Sequence, residues 1–82
     1  MKQVYPSEET LQTIFVASCV ESAAIATGCE SNEMYQRMKR VGLLEDYIWR
    51  FYDTLHTQSR EYVTSDVLET LVAWEKRKGG VG

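Results

Sequence analysis

The chain is short of most of the residues that catalytic and metal sites are built from. Among its 82 residues there is one histidine, His56, one proline, Pro6, and only two cysteines, Cys19 and Cys29. A structural zinc site needs four Cys or His ligands at short spacings, and no such set can be written here. The two cysteines also give no disulfide framework. A helix rising 1.5 Å per residue would hold them roughly 15 Å apart, well beyond bridging distance. They read as small buried hydrophobes in a reducing compartment. An excess of basic charge is missing too, with a net charge of −3 and a pI near 5.0. Phosphate neutralisation requires clustered Lys and Arg, so the balance argues against nucleic-acid binding except through a local patch. Long apolar runs are absent. The longest mostly apolar stretch, Ile14 to Ala26, is interrupted by Ser18, Glu21 and Ser22 and falls short of the roughly 20 residues a membrane span needs. Polar residues follow Met1-Lys2, so no signal peptide is expected and the expected location is cytoplasmic. Gly79-Gly80 lacks the strand-to-helix context of a phosphate loop, and the chain shows no repeat, low-complexity run or internal linker.

What is present is an apolar fraction of 44%, ordinary for a globular chain and too high for a disordered one. The length allows one domain. We expect an N-terminal arm over 1–6, a single helical domain over 7–78 and a flexible tail over 79–82. The expected fold is all-α, a compact four-helix bundle with a short irregular or extended segment before the last helix. A core this small leaves little stability to spare, which makes a homodimer plausible.

The helix signals come in order. Pro6-Ser7-Glu8-Glu9 is a helix start, with Ser7 as cap and two carboxylates at the positive end of the macrodipole. This helix should run to Thr27 and stop at Gly28. Leu11, Phe15, Cys19 and Ile25 mark one stripe and Val16, Val20 and Ala23 another, which predicts a central helix buried on several sides. Ser31 is the expected cap of a second helix, with Met34, Tyr35, Met38 and Val41 as its apolar face and Gly42 as its stop. A third helix is expected over Leu43–His56, with Leu44, Tyr47, Ile48, Phe51 and Leu55 inward. Gln58–Val63 shows no helical period and predicts a loop or lone edge strand. Thr64 or Ser65 then caps a fourth helix that packs Val67, Leu68, Leu71 and Val72, with Trp74 on its flank.

Four of the nine aromatic residues fall between Tyr47 and Tyr52, and His56 follows them. On a continuous helix Trp49, Tyr52, Asp53 and His56 share one face. Asp53 and His56 at i, i+3 form half of an acid–base constellation, but nothing in the sequence supplies the other half. The plainer account is that His56 bonds a backbone carbonyl or Asp53 at a helix end. Trp49 and Tyr52 are better candidates as rigid anchors for a protein partner, against the alternative that both rings close over the core. Arg37, Lys39, Arg40 and Arg50 could form a basic patch, but Glu45, Asp46 and Asp53 on the following helix would repel phosphates. Lys76-Arg77-Lys78 complements a helix C-terminus.

Gly42-Leu43-Leu44, then Tyr52-Asp53-x-Leu55-His56-Thr57-Gln58, then Glu61-Tyr62-Val63 and Asp66, resemble the pattern of a small bacterial family known as domain of unknown function 3791. The likeness covers residues 10–75, and Leu55-His56-Thr57 is its most specific part. The glycine usual after Gln58 is Ser59 here, which disfavours a tight left-handed turn. The resemblance implies a cytoplasmic, compact helical domain without an assigned activity. It also implies a gene neighbourhood shared with ADP-ribosyltransferase-like proteins, and hence an accessory or antitoxin-like partner.

The functional expectation is a non-enzymatic protein-binding accessory module that uses Trp49, Tyr52, Asp53, His56 and Arg60. The alternative is a small helical DNA-binding transcriptional regulator. No catalytic, cofactor-binding or metal-ligating residue is assigned, no membrane contact is expected, and no small-molecule substrate is identifiable.

Overall fold

Ser7 opens the first helix as its chemistry predicts. Its backbone is extended, and its hydroxyl oxygen accepts the Thr10 amide at 3.1 Å, satisfying a donor that no helical carbonyl can reach. The helix ends at Gly28, which adopts φ 73°. There the Cys29 amide donates back to the Ala24 carbonyl (3.0 Å) and the Gly28 amide to Ile25 (3.3 Å), the paired reverse bonds of a Schellman ending. Both limits were legible, and they define α1 as Glu8–Thr27.

The computed structural model describes residues 7–79, with only the backbone of residues 78 and 79. The expected arm over 1–6, including Pro6, and residues 80–82 of the expected tail lie outside the described residues. Within them the chain is all-helical: α1, then α2 (Ser31–Arg40), a π-helical turn (Leu44–Trp49), α3 (Tyr52–Leu55) and α4 (Arg60–Gly79). No strand occurs among the described residues.

The core lies where α2 and α4 lean on α1. Ala23 and Ala24 have almost no exposed surface, and their small side chains let neighbouring helices approach closely. Met34 and Met38 of α2, Leu43 and Ile48 of the following turn, and Val63, Val67 and Leu71 of α4 fill the space around them. Arg37 straps α2 to α4 through two bonds to the Glu75 carboxylate, Nε to Oε2 at 2.9 Å and Nη2 to Oε1 at 2.8 Å. The Tyr47 hydroxyl donates to Asp66, tying the π-helical turn to α4.

Several expectations need correction, and Tyr35, Phe51 and Val72, expected to face inward, are exposed. The third helix is not continuous. Residues 44–49 take the wider i→i+5 turn of a π-helix, and at Phe51 the backbone departs to φ −103°, ψ 24° before α3 begins. The last helix starts at Arg60 rather than near Thr64, because Ser59 caps it: the Tyr62 amide donates to the Ser59 hydroxyl at 3.1 Å. Arg60–Val63 is therefore helical, and the irregular segment shrinks to the turn around residues 56–59. Ser31 is the first residue of α2 rather than its cap; Glu30 holds the cap position without a side-chain bond. Finally, α1 is not buried on several sides. Only Cys19, Val20, Ala23 and Ala24 are buried, while Leu11, Ile14 and Ile25 are 44%, 56% and 79% exposed. Because it extends over Glu8–Thr27, α1 is also long and apolar enough, by length and composition alone, to cross a membrane. The 14–26 stretch considered by itself understated that length.

Candidate functional site

The break between the π-helical turn and α3 decides where the candidate side chains go. Trp49 is half-buried and lines an open groove of about 720 Å³ with Val16, Ala17 and Val20 of α1, Tyr35 of α2 and Leu44. Its backbone carbonyl accepts the Gln12 side-chain amide at 3.3 Å, which fixes this end of the turn against α1. Glu21 and Glu45 are the charged residues in the groove lining.

Tyr52, His56 and Arg60 assemble elsewhere. The Tyr52 ring stands edge-on to Phe15 of α1 (centroids 5.4 Å apart) and stacks on His56 (4.4 Å, 11° between planes). The His56 Nδ1 lies 2.7 Å from the Tyr52 carbonyl, and since a carbonyl only accepts, Nδ1 carries the proton. His56 thus bonds a backbone carbonyl at the end of α3, one of the two structural roles open to it, and not Asp53. Asp53 is exposed. The acid–base pair suggested by the i, i+3 spacing is not formed.

Arg60, the first residue of α4, reaches across to α1. Its Nη1 donates to the hydroxyls of Ser22 (2.9 Å) and Ser18 (3.3 Å). These groups, with His56, Gln58 and Thr64, line a cleft of about 290 Å³ floored by Phe15, Cys19 and Val63. Burial pushes the Cys19 thiol up to about 11, against a weaker opposing pull from the Arg60 guanidinium, so it is a neutral thiol at neutral pH. Cys29 is half-buried and also free.

The structure therefore divides the five sequence-derived residues. Trp49 belongs to the groove, His56 and Arg60 to the cleft, and Tyr52 and Asp53 to neither lining, although Tyr52 stacks on His56. Ser18 and Ser22 were missed, although their i, i+4 spacing on an otherwise apolar helix marks a polar notch on one face. The basic patch is also altered, because Arg37 is engaged by Glu75 and the Arg50 guanidinium lies 5.8 Å from the centre of the Phe51 ring. Among the described residues no three His, Cys, Asp or Glu side chains gather into a possible metal site.

These features define a small all-helical domain with an open apolar groove on one side and a compact polar cleft on another. The chain belongs to the family described as protein of unknown function (DUF3791), which matches residues 14–74 and so includes the cleft and all of the groove lining except Thr13. No curated protein and no solved structure matches the chain significantly.

Proposed function

We propose that this is a non-enzymatic accessory module that binds another protein through the groove lined by Trp49. The observation that carries the reading is the uncovered apolar surface of α1. A twenty-residue helix with four buried residues leaves Leu11, Ile14 and Ile25 in solvent. On another face of the same helix, Val16 and Ala17 join Leu44 and Trp49 in lining a groove open to a partner. Trp is a frequent anchor at the centre of protein interfaces, where it supplies large contact area at small entropic cost. The scaffold reads as a four-helix bundle in which the π-helical turn and α3 count as one bent element. An antitoxin-like partnership with the product of a neighbouring gene, in a bacterial cytoplasm, is the finer form of the same proposal.

The test is affinity capture with the tagged domain from its source cell, wild type beside Trp49→Ala, with circular dichroism verifying that the variant is folded. A protein captured by the wild type and lost in the variant supports the reading. Identical captures would refute it, and light scattering on the isolated domain would show whether the groove instead joins two copies. The DNA-binding alternative keeps Lys39, Arg40 and Arg50 but must do without Arg37, which Glu75 already occupies. A flat gel-shift titration at low salt, where electrostatic binding is strongest, would dispose of it.

A further inference from the structure

The cleft between α1 and the start of α4 has an unusual surplus of hydrogen-bond donors. Thr13 and Thr27 on α1 return their hydroxyl protons to carbonyls of their own helix, at 3.0 Å and 2.8 Å, the ordinary fate of a helical hydroxyl. Ser18 and Ser22 do not. Among the described residues their only side-chain bonds are as acceptors from Arg60, so both hydroxyl protons are unspent. Arg60 uses Nη1 for the two serines, which leaves the Nε–Nη2 edge, the side that grips an oxyanion with two parallel N–H bonds. His56 spends Nδ1 on a carbonyl, so Nε2 is its uncommitted nitrogen. In the imidazolium form that nitrogen donates as well.

The charge around the cleft is also one-sided. Although Asp and Glu outnumber Lys and Arg by 12 to 9 in the chain, no carboxylate lines it. Arg60 has no carboxylate within 4.0 Å among the described residues, where the one ion pair is Arg37–Glu75. Cys19, the remaining ionisable group at the floor, is a protonated thiol held neutral by burial. Tyr52 stacks on the His56 ring and is itself braced edge-on by Phe15, so the imidazole is positioned before any ligand arrives. A guanidinium edge and two hydroxyls, joined by Nε2 in the imidazolium form, offer more donors than the roughly four lone pairs of a carboxylate use. They suit the three terminal oxygens of a phosphate group. The cleft volume of about 290 Å³ sits at the lower end of small-molecule sites.

We propose that Arg60, Ser18, Ser22 and His56 form a binding site for a small phosphate-bearing molecule. The site stands apart from the Trp49 groove and does not depend on the protein-partner reading.

The test is a titration of the isotopically labelled 82-residue chain with inorganic phosphate, followed by amide NMR with chloride holding ionic strength constant. The expected result is saturable shifts confined to residues 18–22 and 56–64, with a midpoint on the order of millimolar for so small a probe. Arg60→Gln removes the saturation, and Ser22→Ala raises the midpoint several-fold. The second variant serves if the first does not fold. Trp49→Ala leaves the titration unchanged. Shifts that never saturate, that persist in Arg60→Gln and Ser22→Ala, or that acetate reproduces at the same concentration would each overturn the proposal.

Discussion

The Arg37–Glu75 strap gives the sharpest quantitative test of how the helices are held. α2 and α4 each pack chiefly on α1, so this pair is a direct tie between them. It is bidentate, with bonds of 2.8 and 2.9 Å, and charge-assisted forks of this kind are among the stronger polar contacts. Its side chains are 33% and 30% exposed, however, so water screens the attraction and the value belongs near the top of the surface range, about 1 kcal/mol. A double-mutant cycle with Arg37→Met and Glu75→Gln isolates that term. With a urea dependence of about 1 kcal/mol per molar for a domain of this size, it moves the unfolding midpoint by about 1 M. The pH dependence has a definite sign. The hydrogen bond from Arg37 holds the Glu75 carboxyl below its usual range, against a smaller opposing effect of burial. A carboxyl more acidic in the folded than in the unfolded state stabilises fully above its unfolded value of about 4.3, and that stabilisation is lost as pH falls through the folded value. The coupling measured by circular dichroism should therefore be present at pH 7 and vanish in strong acid. A coupling under about 0.2 kcal/mol, or one that survives at pH 2, would refute the argument.

Other expectations follow from the same packing. Leu43→Ala, at a fully buried position, should cost about 2–5 kcal/mol, enough to leave much of so small a domain unfolded at 37 °C by calorimetry. Gly28→Ala and Gly42→Ala both force a Cβ into left-handed backbone, at φ 73° and 78°, each costing about 1–2 kcal/mol in urea unfolding. The clash at Gly42 is with the Asp46 carboxylate at 3.1 Å, and because that side chain is exposed and can swing away, the two costs should agree closely. Iodoacetamide at pH 8 should label Cys29 well before Cys19, whose thiol is buried and pushed up to about 11; equal labelling by mass spectrometry would contradict the packing of α1.

The parts of the fold that the sequence disclosed are those governed by local chemistry. Ser7 and Gly28 bound α1 because a cap oxygen and a left-handed glycine act within a few residues. Of the expected face Met34, Tyr35, Met38 and Val41, three are buried, and Tyr35 is exposed at the rim of the groove. Local rules failed where two local solutions compete. Ser59 and Ser65 are both plausible caps, and the choice is settled by tertiary packing, which buries Val63 together with Val67 and Leu71. That i, i+4, i+8 run was visible and would have extended the helix back to Arg60. The π-helical turn has no comparable signature. It shifts the register after Trp49, so a stripe counted at i, i+3 and i, i+4 from Trp49 to His56 ends in two different cavities. The cleft depends on contacts 38 and 42 residues apart between Arg60 and the serines, a distance over which periodicity carries no information.

The reliance of both α2 and α4 on α1 also orders events in time. A ribosome adding about 5–20 residues per second needs roughly 3–10 s to pass from Thr27 to Gly79. During that interval Val20, Ala23 and Ala24 still lack Val63, Val67 and Leu71 of α4. The most apolar of the described helices is thus made before α4, the element that completes its cover. Nascent chains stalled within α4 should therefore be the species on which chaperones and proteases act.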